Sequence, residues 1–202
     1  MKLILYLLAI MWLSFLLQNT LHGFTEELKL DSSKVWERPY LLITSAFLHG
    51  DIVHLLYNSV GLFLFGSILL NIIGPKNFLA IYFASAIAAG ICASLFYPYS
   101  LGASGAIFGL IGALAILRPF MTIYAYYLPL PMIVAAAVWT IGDLVGLLIP
   151  SNVAHAAHLA GLALGIAAGL ILAGRYSEQK IKGAENAVSQ AEFEEWEQKY
   201  MR

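Results

Sequence analysis

Long apolar blocks separated by short polar breaks are the feature that most constrains how this chain folds. Of its 202 residues, 60% are hydrophobic and only 11% are charged, which is too few polar residues to cover a soluble domain. The blocks are long enough for transmembrane helices, so the sequence predicts an all-α polytopic membrane protein in a lipid bilayer. The net charge of −1 offers no basic surface for nucleic acid.

Six apolar segments can be delimited, and they predict six transmembrane helices. Their bounds are Leu3–Leu17, Ile52–Ile73, Phe78–Tyr97, Ser104–Leu117, Leu130–Ile149 and Val153–Ala173. Because Lys2 precedes a short apolar run, the first segment is also similar to a secretory signal. No cleavage site of small residues follows, and the run ends in Gln18-Asn19-Thr20, so we interpret it as a retained first span.

The sequence becomes polar after Gly174, which divides it into a membrane domain, residues 1–174, and a polar tail, residues 175–202. Apolar residues recur in the tail at helical spacing, namely Ile181, Ala184, Val188, Ala191, Phe193, Trp196 and Tyr200. Two interpretations stay open: an amphipathic cytoplasmic helix that contacts the membrane or a partner, and a solvated tail with no specific role.

Basic residues predict the orientation of the chain in the membrane. If six spans alternate, one side carries Lys2, Lys76, Arg118, Arg175, Lys180 and Lys182. The other side carries Lys29, Lys34 and Arg38, all within the long first loop and mixed with acidic residues. Because cytoplasmic loops are rich in Lys and Arg, we expect a multi-pass protein of the cell membrane with both termini in the cytoplasm.

A few polar side chains lie inside the apolar segments, where they are costly and usually face the interior of the bundle. His54 and Asn58 are near the start of the second segment, Ser104 begins the fourth, and His158 is about one turn into the sixth. These three segments all start on the outer side if the spans alternate. The four side chains are therefore predicted to lie at a similar depth, with His54 and Asn58 on one helix face.

Ser104 lies in the run Gly102-Ala103-Ser104-Gly105, whose glycines allow a tight turn and the close approach of a substrate backbone. A serine at a helix start has unpaired N–H groups beside it, which suit an oxyanion. The fourth segment has about 14 residues, roughly 21 Å at about 1.5 Å per residue, which is shorter than a bilayer core of about 30 Å. We therefore expect the preceding residues 97–101 to enter the membrane as irregular backbone that water can reach.

Glycines recur at helical spacing in the fourth and sixth segments, and such rows let two helices pack closely. They are Gly105, Gly109 and Gly112 in the fourth, and Gly161, Gly165 and Gly169 in the sixth. Taken alone, glycine rows are usually packing devices without catalytic meaning. Because Ser104 and His158 lie at the same end of these two helices, the pattern predicts a serine–histidine pair.

Three stretches resemble the signature regions of rhomboid intramembrane serine proteases: Pro39–Gly66, the run GASGAIFG and the run AHLAGLALG. The order and spacing of that family are kept, although Tyr40 and Leu41 stand where many members carry Trp-Arg. The resemblance implies a six-helix bundle with a short central fourth helix. It also implies that Ser104 of the G-x-S-G motif is the nucleophile and His158 of the A-H-x-x-G motif is the base.

The same resemblance implies roles for the residues around this pair. His54 and Asn58 of the H-x-x-x-N motif would lie on the oxyanion and substrate side together with Gly102. The supporting residues would be His49, which matches an earlier histidine of the family, Gly105 and Gly161.

The function that the resemblance implies is an endopeptidase that cleaves transmembrane segments of single-span membrane proteins with a Ser-His dyad, without metal or cofactor. Two rivals are considered. A non-catalytic rhomboid-like protein that binds transmembrane clients would lack the serine or the histidine, and this chain has both. A transporter or channel could use His54, Asn58, Asp143 and His158 as a polar path, but it does not explain the Gly102–Gly105 run.

Three further residues have no assigned role. Asp143 lies in the fifth segment, where an acid is a functional candidate by default. The family uses no acidic third residue, so the resemblance implies a polar contact near the interface. His155 stands three residues before His158 and could share a metal with it, but the sequence shows no third ligand, and we favour a histidine in an outer loop or at the rim. Cys92 is interpreted as a small core residue.

Overall fold

Helices form most of the chain in the computed structural model, which describes residues 2–125, 128–187 and 198–199. The helices are α1 (Lys2–Thr20), α2 (Phe24–Leu28), α3 (Leu41–Thr44), α4 (Ile52–Gly61), α5 (Ser67–Phe96), α6 (Ser104–Leu117), α7 (Met132–Gly146) and α8 (His155–Ala187). A 3₁₀ turn, Ser45–Phe47, follows α3, and a π-helical turn, Leu62–Gly66, joins α4 to α5. The strands are β1 (Leu30–Asp31), β2 (Tyr99–Ser100), β3 (Thr122–Ala125) and β4 (Leu128–Pro131).

Three helical stretches of the described chain are long and apolar enough to cross a membrane: Lys2–Thr20, Ile52–Phe96 and His155–Gly174. The second holds 45 residues, but Gly74 interrupts it with a φ of 75° and a ψ of 169°, and Pro75 follows. Glycine in this conformation followed by proline ends a helix, as predicted between the second and third segments. With the shorter apolar helices α6 and α7, these stretches confirm a helical multi-pass membrane protein.

Two predicted features of local structure differ in detail from the structure. The fifth segment was expected to begin at Leu130, but Leu130 lies in β4 and is paired with Ile123 of β3. Pro129 and Pro131 flank it, and a residue before proline is disfavoured in a helix, so α7 begins only at Met132. Residues 97–101 are not irregular throughout, because Tyr99 and Ser100 pair with β1. Strand pairing satisfies backbone groups that would otherwise lack partners.

The first loop is held against the segment before α6 by this pairing. The Ser32 amide donates to the carbonyl oxygen of Pro98 at 3.0 Å, and the Ser32 hydroxyl donates to that of Tyr97. The Gly102 amide donates to the carbonyl oxygen of Ser45 at 2.9 Å. The segment that leads into α6 is therefore hydrogen-bonded to the first loop at two points, Ser32 and Ser45.

Helix α6 lies at the centre of the molecule, between α5 and α8. From Gly105 to Ala115 every residue except Phe108 is buried. A Cβ added at Gly161 would overlap the carbonyl oxygen of Gly105, and one at Gly165 would overlap that of Gly109. The predicted close packing of the two glycine rows is therefore present, with backbone in contact with backbone.

The remaining predictions have mixed outcomes. Cys92 is only half-buried, and its Sγ lies 3.3 Å from the carbonyl oxygen of Ala156. Helix α8 continues to Ala187, past the division predicted after Gly174, which stays a prediction. Most of the apolar stripe predicted for the tail lies outside the described residues, namely Val188, Ala191, Phe193, Trp196 and Tyr200.

Candidate active site

Ser104 and His158 are in contact. Ser104 is the first residue of α6 and His158 lies in the first turn of α8, and the Ser104 Oγ is 2.8 Å from the His158 Nε2. This distance is that of a hydrogen bond between a nucleophile and its base. It depends on the supporting glycines Gly105 and Gly161, because the α6 and α8 backbones touch there, directly after Ser104 and about one turn after His158.

The ring of His158 is fixed on two further sides. The Phe108 ring stacks on it, with centroids 4.5 Å apart and an interplanar angle of 8°. The Nδ1 of His158 lies 3.1 Å from the Oδ1 of Asp143, near the end of α7. Phe108 was not among the predicted site residues, although its position four residues after Ser104 puts it on the same helix face.

Asp143 has a second histidine partner. The Nδ1 of His155 lies 2.6 Å from the same Oδ1, and the Nε2 of His155 lies 3.0 Å from the hydroxyl oxygen of Ser151. Asp143 is only 6% exposed. The acid that the sequence left without a role therefore connects both histidines of α8 inside the protein.

Among the described residues, Asp143, His155 and His158 form a group that could hold a metal ion, since their ligand atoms lie within 4.8 Å of one another. Asp143 would be the third ligand that the sequence did not reveal. However, each Nδ1 faces the carboxylate at a hydrogen-bond distance, 2.6 Å and 3.1 Å, so the observed geometry is that of two N–H···O bonds.

The oxyanion-side residues of the prediction are brought together around Gly102. Its φ is 123°, and an added Cβ would lie 2.8 Å from the His54 Nε2 and 3.8 Å from the Asn58 Nδ2. Only glycine combines this backbone conformation with such a close approach. Asn58 is 5% exposed, and its Nδ2 has no hydrogen-bond partner among the described residues. A buried donor without a partner is available for a substrate oxygen.

His49 supports His54 from the first loop. Its ring is 1% exposed and lies edge-on to the His54 ring, with centroids 5.1 Å apart. Burial, with the neighbouring His54 as a second cause, lowers the pKa of His49 to about 4, so its ring is neutral at neutral pH. Gln18 bonds to both the amide and the carbonyl of His49, and Asp51 accepts the His54 amide at 2.8 Å.

Comparison with known proteins shows the family of this chain. Residues 33–175, well over half of the chain, match the family model described as the Rhomboid domain. The chain is 33% identical over 153 residues to Rhomboid protein 1, mitochondrial, of Saccharomyces cerevisiae, covering 69% of this chain and 43% of that protein. It is 37% identical over 120 residues to the Putative rhomboid protease YdcA of Bacillus subtilis, covering 54% and 57%.

A shorter match, 45% identical over 74 residues, is to the Rhomboid protease GluP of Bacillus subtilis, with 36% of this chain and 15% of that protein covered. The chain thus covers less than two thirds of the length of each of these relatives. Because the family model covers most of the apolar helices, with Ser104 and His158 among them, this chain belongs to the rhomboid family of multi-pass membrane proteins.

Proposed function

We propose that this chain is an intramembrane serine endopeptidase in which Ser104 is the nucleophile and His158 is its base. The observation that carries the proposal is the 2.8 Å contact between the Ser104 Oγ and the His158 Nε2, made between two apolar helices. The neighbouring glycines and the Phe108 ring hold both groups, so little reorganisation precedes reaction.

The reaction follows from the geometry of the pair. His158 Nε2 takes the proton of the Ser104 hydroxyl while Oγ attacks the carbonyl carbon of the scissile peptide bond. The resulting imidazolium returns the proton to the leaving amine, and an acyl-enzyme on Ser104 remains. Water then attacks the ester with His158 again as base, which releases the carboxylate product and the free serine.

The oxyanion would be stabilised at the start of α6. The first N–H groups of a helix have no intrahelical acceptor, and those of Ser104 and Gly105 are next to the nucleophile. Asn58 adds its unpartnered Nδ2, and His54 lies beside Gly102 at the same place. This environment binds the transition-state charge more strongly than the ground-state carbonyl.

The chain would act as a bundle of six spans, with both termini in the cytoplasm of a cell and the site open to the outer side of its membrane. Its substrates would be single-span membrane proteins, cleaved in or near the transmembrane segment after local unwinding exposes the carbonyl. The chemistry requires neither metal nor cofactor.

The test is cleavage of a single-span reporter protein by the purified chain in detergent, with mass spectrometry of the products. We expect cleavage and covalent labelling of Ser104 by a fluorophosphonate probe. Ser104→Ala and His158→Ala should abolish both, whereas Ser94→Ala, on α5 with a hydroxyl bonded only to its own helix, should not. Binding of the reporter without any turnover would favour the client-binding alternative.

A further inference from the structure

We propose that Asp143 is the positioning residue for His158, and that His155, seated in a slot left by Gly146, holds the Asp143 carboxylate in place. This inference rests on the proposed function, because it concerns how His158 is prepared to act as a base. It adds Asp143 and His155 to the Ser104–His158 pair of the proposed reaction.

The hydrogen bonds define one consistent placement of protons. A carboxylate can only accept, so the Nδ1 of His158 at 3.1 Å and the Nδ1 of His155 at 2.6 Å must both be N–H donors to Asp143 Oδ1. In the neutral ring the proton on Nδ1 leaves Nε2 with its lone pair. The Nε2 of His158 therefore accepts from Ser104, as general base catalysis requires.

The same assignment accounts for the outer end of the chain of hydrogen bonds. His155 Nε2 must accept, and the Ser151 hydroxyl, 3.0 Å away, is able to donate to it. Ser151 Oγ in turn lies 3.3 Å from the Val153 amide, which donates to it. Every donor between Ser151 and Ser104 thus has one acceptor, so a single tautomer of each histidine satisfies the network.

Asp143 is buried, so its carboxylate depends on the two histidines for hydrogen bonds. Asp143 is 6% exposed, and its Oδ2 has no hydrogen-bond partner among the described residues. A buried carboxylate needs donors, and the two Nδ1–H groups are those the structure supplies. When His158 gains the serine proton during acyl transfer, the carboxylate beside its Nδ1 stabilises the imidazolium.

The ring of His155 packs against α7 at Gly146, where the absence of a side chain leaves space for it. Gly146 lies three residues after Asp143, and a Cβ added there would overlap the His155 ring, with the Cδ2 atom only 2.7 Å away. By contrast, Gly142 on the same helix has nothing within 4 Å of an added Cβ. The two glycines therefore form a matched pair, of which only one affects His155.

The first experiment compares kinetic constants of the parent and Asp143→Asn on the single-span reporter. Asparagine keeps the shape but removes the charge, so we expect kcat to fall by about 10²- to 10⁴-fold, the range of a positioned proton-transfer group. KM should be unchanged, because Asp143 contacts His158 at Nδ1, on the opposite side of the ring from the Nε2 that faces Ser104. The fluorophosphonate labelling rate should fall by a similar factor. Thr140→Val, one turn earlier on α7 and bonded only to Ala136, is the control.

The second experiment compares Gly146→Ala with Gly142→Ala and does not alter the carboxylate. Displacing the His155 ring should lower kcat of Gly146→Ala by about fivefold to tenfold, the effect of one ordinary hydrogen bond. Gly142→Ala should keep the parental kcat. If Asp143→Asn fails to fold, as judged by its thermal unfolding, equal kcat in the two glycine variants would reject the whole proposal, because displacing the group that holds Asp143 would then have no effect on His158.

The outcomes separate the two proposals. Loss of all cleavage in the parent, or full activity in Ser104→Ala, would reject the proposed function itself. An active parent with an Asp143→Asn kcat within about twofold of it would reject the positioning role alone. Equal kcat in the two glycine variants would reject the role of His155. Stoichiometric metal in the parent that Asp143→Asn loses would replace the hydrogen-bonded network by a metal site.

Discussion

Replacing Gly102 by alanine adds one methyl group where the chain enters α6 beside His54. The added Cβ would lie 2.7 Å from the His54 Cε1, whereas ordinary van der Waals contact begins at 3.4 Å. The ring or the loop must therefore move by about 0.7 Å, the difference between these two distances. In addition, the φ of 123° is rarely adopted by residues with a side chain, at a cost of about 1–3 kcal/mol.

A misplacement of about 1 Å at a reacting group can cost about 10²-fold in rate. Gly102 is two residues before Ser104, and its amide donates to the carbonyl oxygen of Ser45. The loop therefore cannot absorb the displacement, and Ser104 or His54 must move. We expect Gly102→Ala to lower kcat/KM by about 10- to 10²-fold and the free energy of unfolding by about 1–3 kcal/mol. Initial rates on the single-span reporter and thermal unfolding in detergent measure the two effects.

Gly23→Ala separates strain from steric overlap. Gly23 has a φ of 82°, and an added Cβ there would meet nothing within 4 Å. We expect a loss of about 1 kcal/mol in stability and an unchanged kcat/KM. A kcat/KM of Gly102→Ala within about twofold of the parent, or an equal loss of activity in Gly23→Ala, would refute the role of steric overlap with His54.

Three further predictions use the same assays. Asn58→Ala should lower kcat by about 10²- to 10³-fold at unchanged KM, because one oxyanion donor is removed; equal kcat would exclude that role. Gly161→Ala should reduce both stability and labelling of the nucleophile, because its Cβ would overlap Gly105, whereas Gly174→Ala on the same helix meets nothing and should not. The pKa of His49 is about 4 in the fold and about 6.5 in the unfolded chain. The free energy of unfolding should therefore decrease as pH falls from 6.5 to 4, by at most about 3 kcal/mol. His49→Phe should remove this pH dependence.

The contact between Ser104 and His158 could be predicted because it depends on quantities that a sequence contains. Alternation of apolar segments sets the side on which each helix begins, and the spacing of small residues sets which faces can touch. Both relations survive errors of a few residues in helix bounds. The kink at Gly74 belongs to the same class, since glycine followed by proline ends a helix locally.

The contact between Asp143 and His158 could not be predicted in this way. The length of a helix can be inferred from its apolar segment, but its rotation about its own axis cannot, because packing against neighbouring helices sets that rotation. Helix α7 has only one acid to mark a face, and that acid reaches His158 from a different element. The pairing of β1 with β2 joins segments about 70 residues apart, and strands of two residues have too little pattern to be detected.

The helix ends explain why these polar groups can coexist inside a membrane protein. Ser104 begins α6, His155 begins α8 and Asp143 lies in the last turn of α7, so all three groups are held where helices start or stop. Helix starts supply free N–H groups and admit water, while the helix interiors below remain apolar. Helix α6 illustrates this division, because after Ser104 it contains only glycine and apolar residues to Leu117. The short helices α6 and α7 therefore hold these polar groups at one end of the bundle, where water for the proposed hydrolysis would enter.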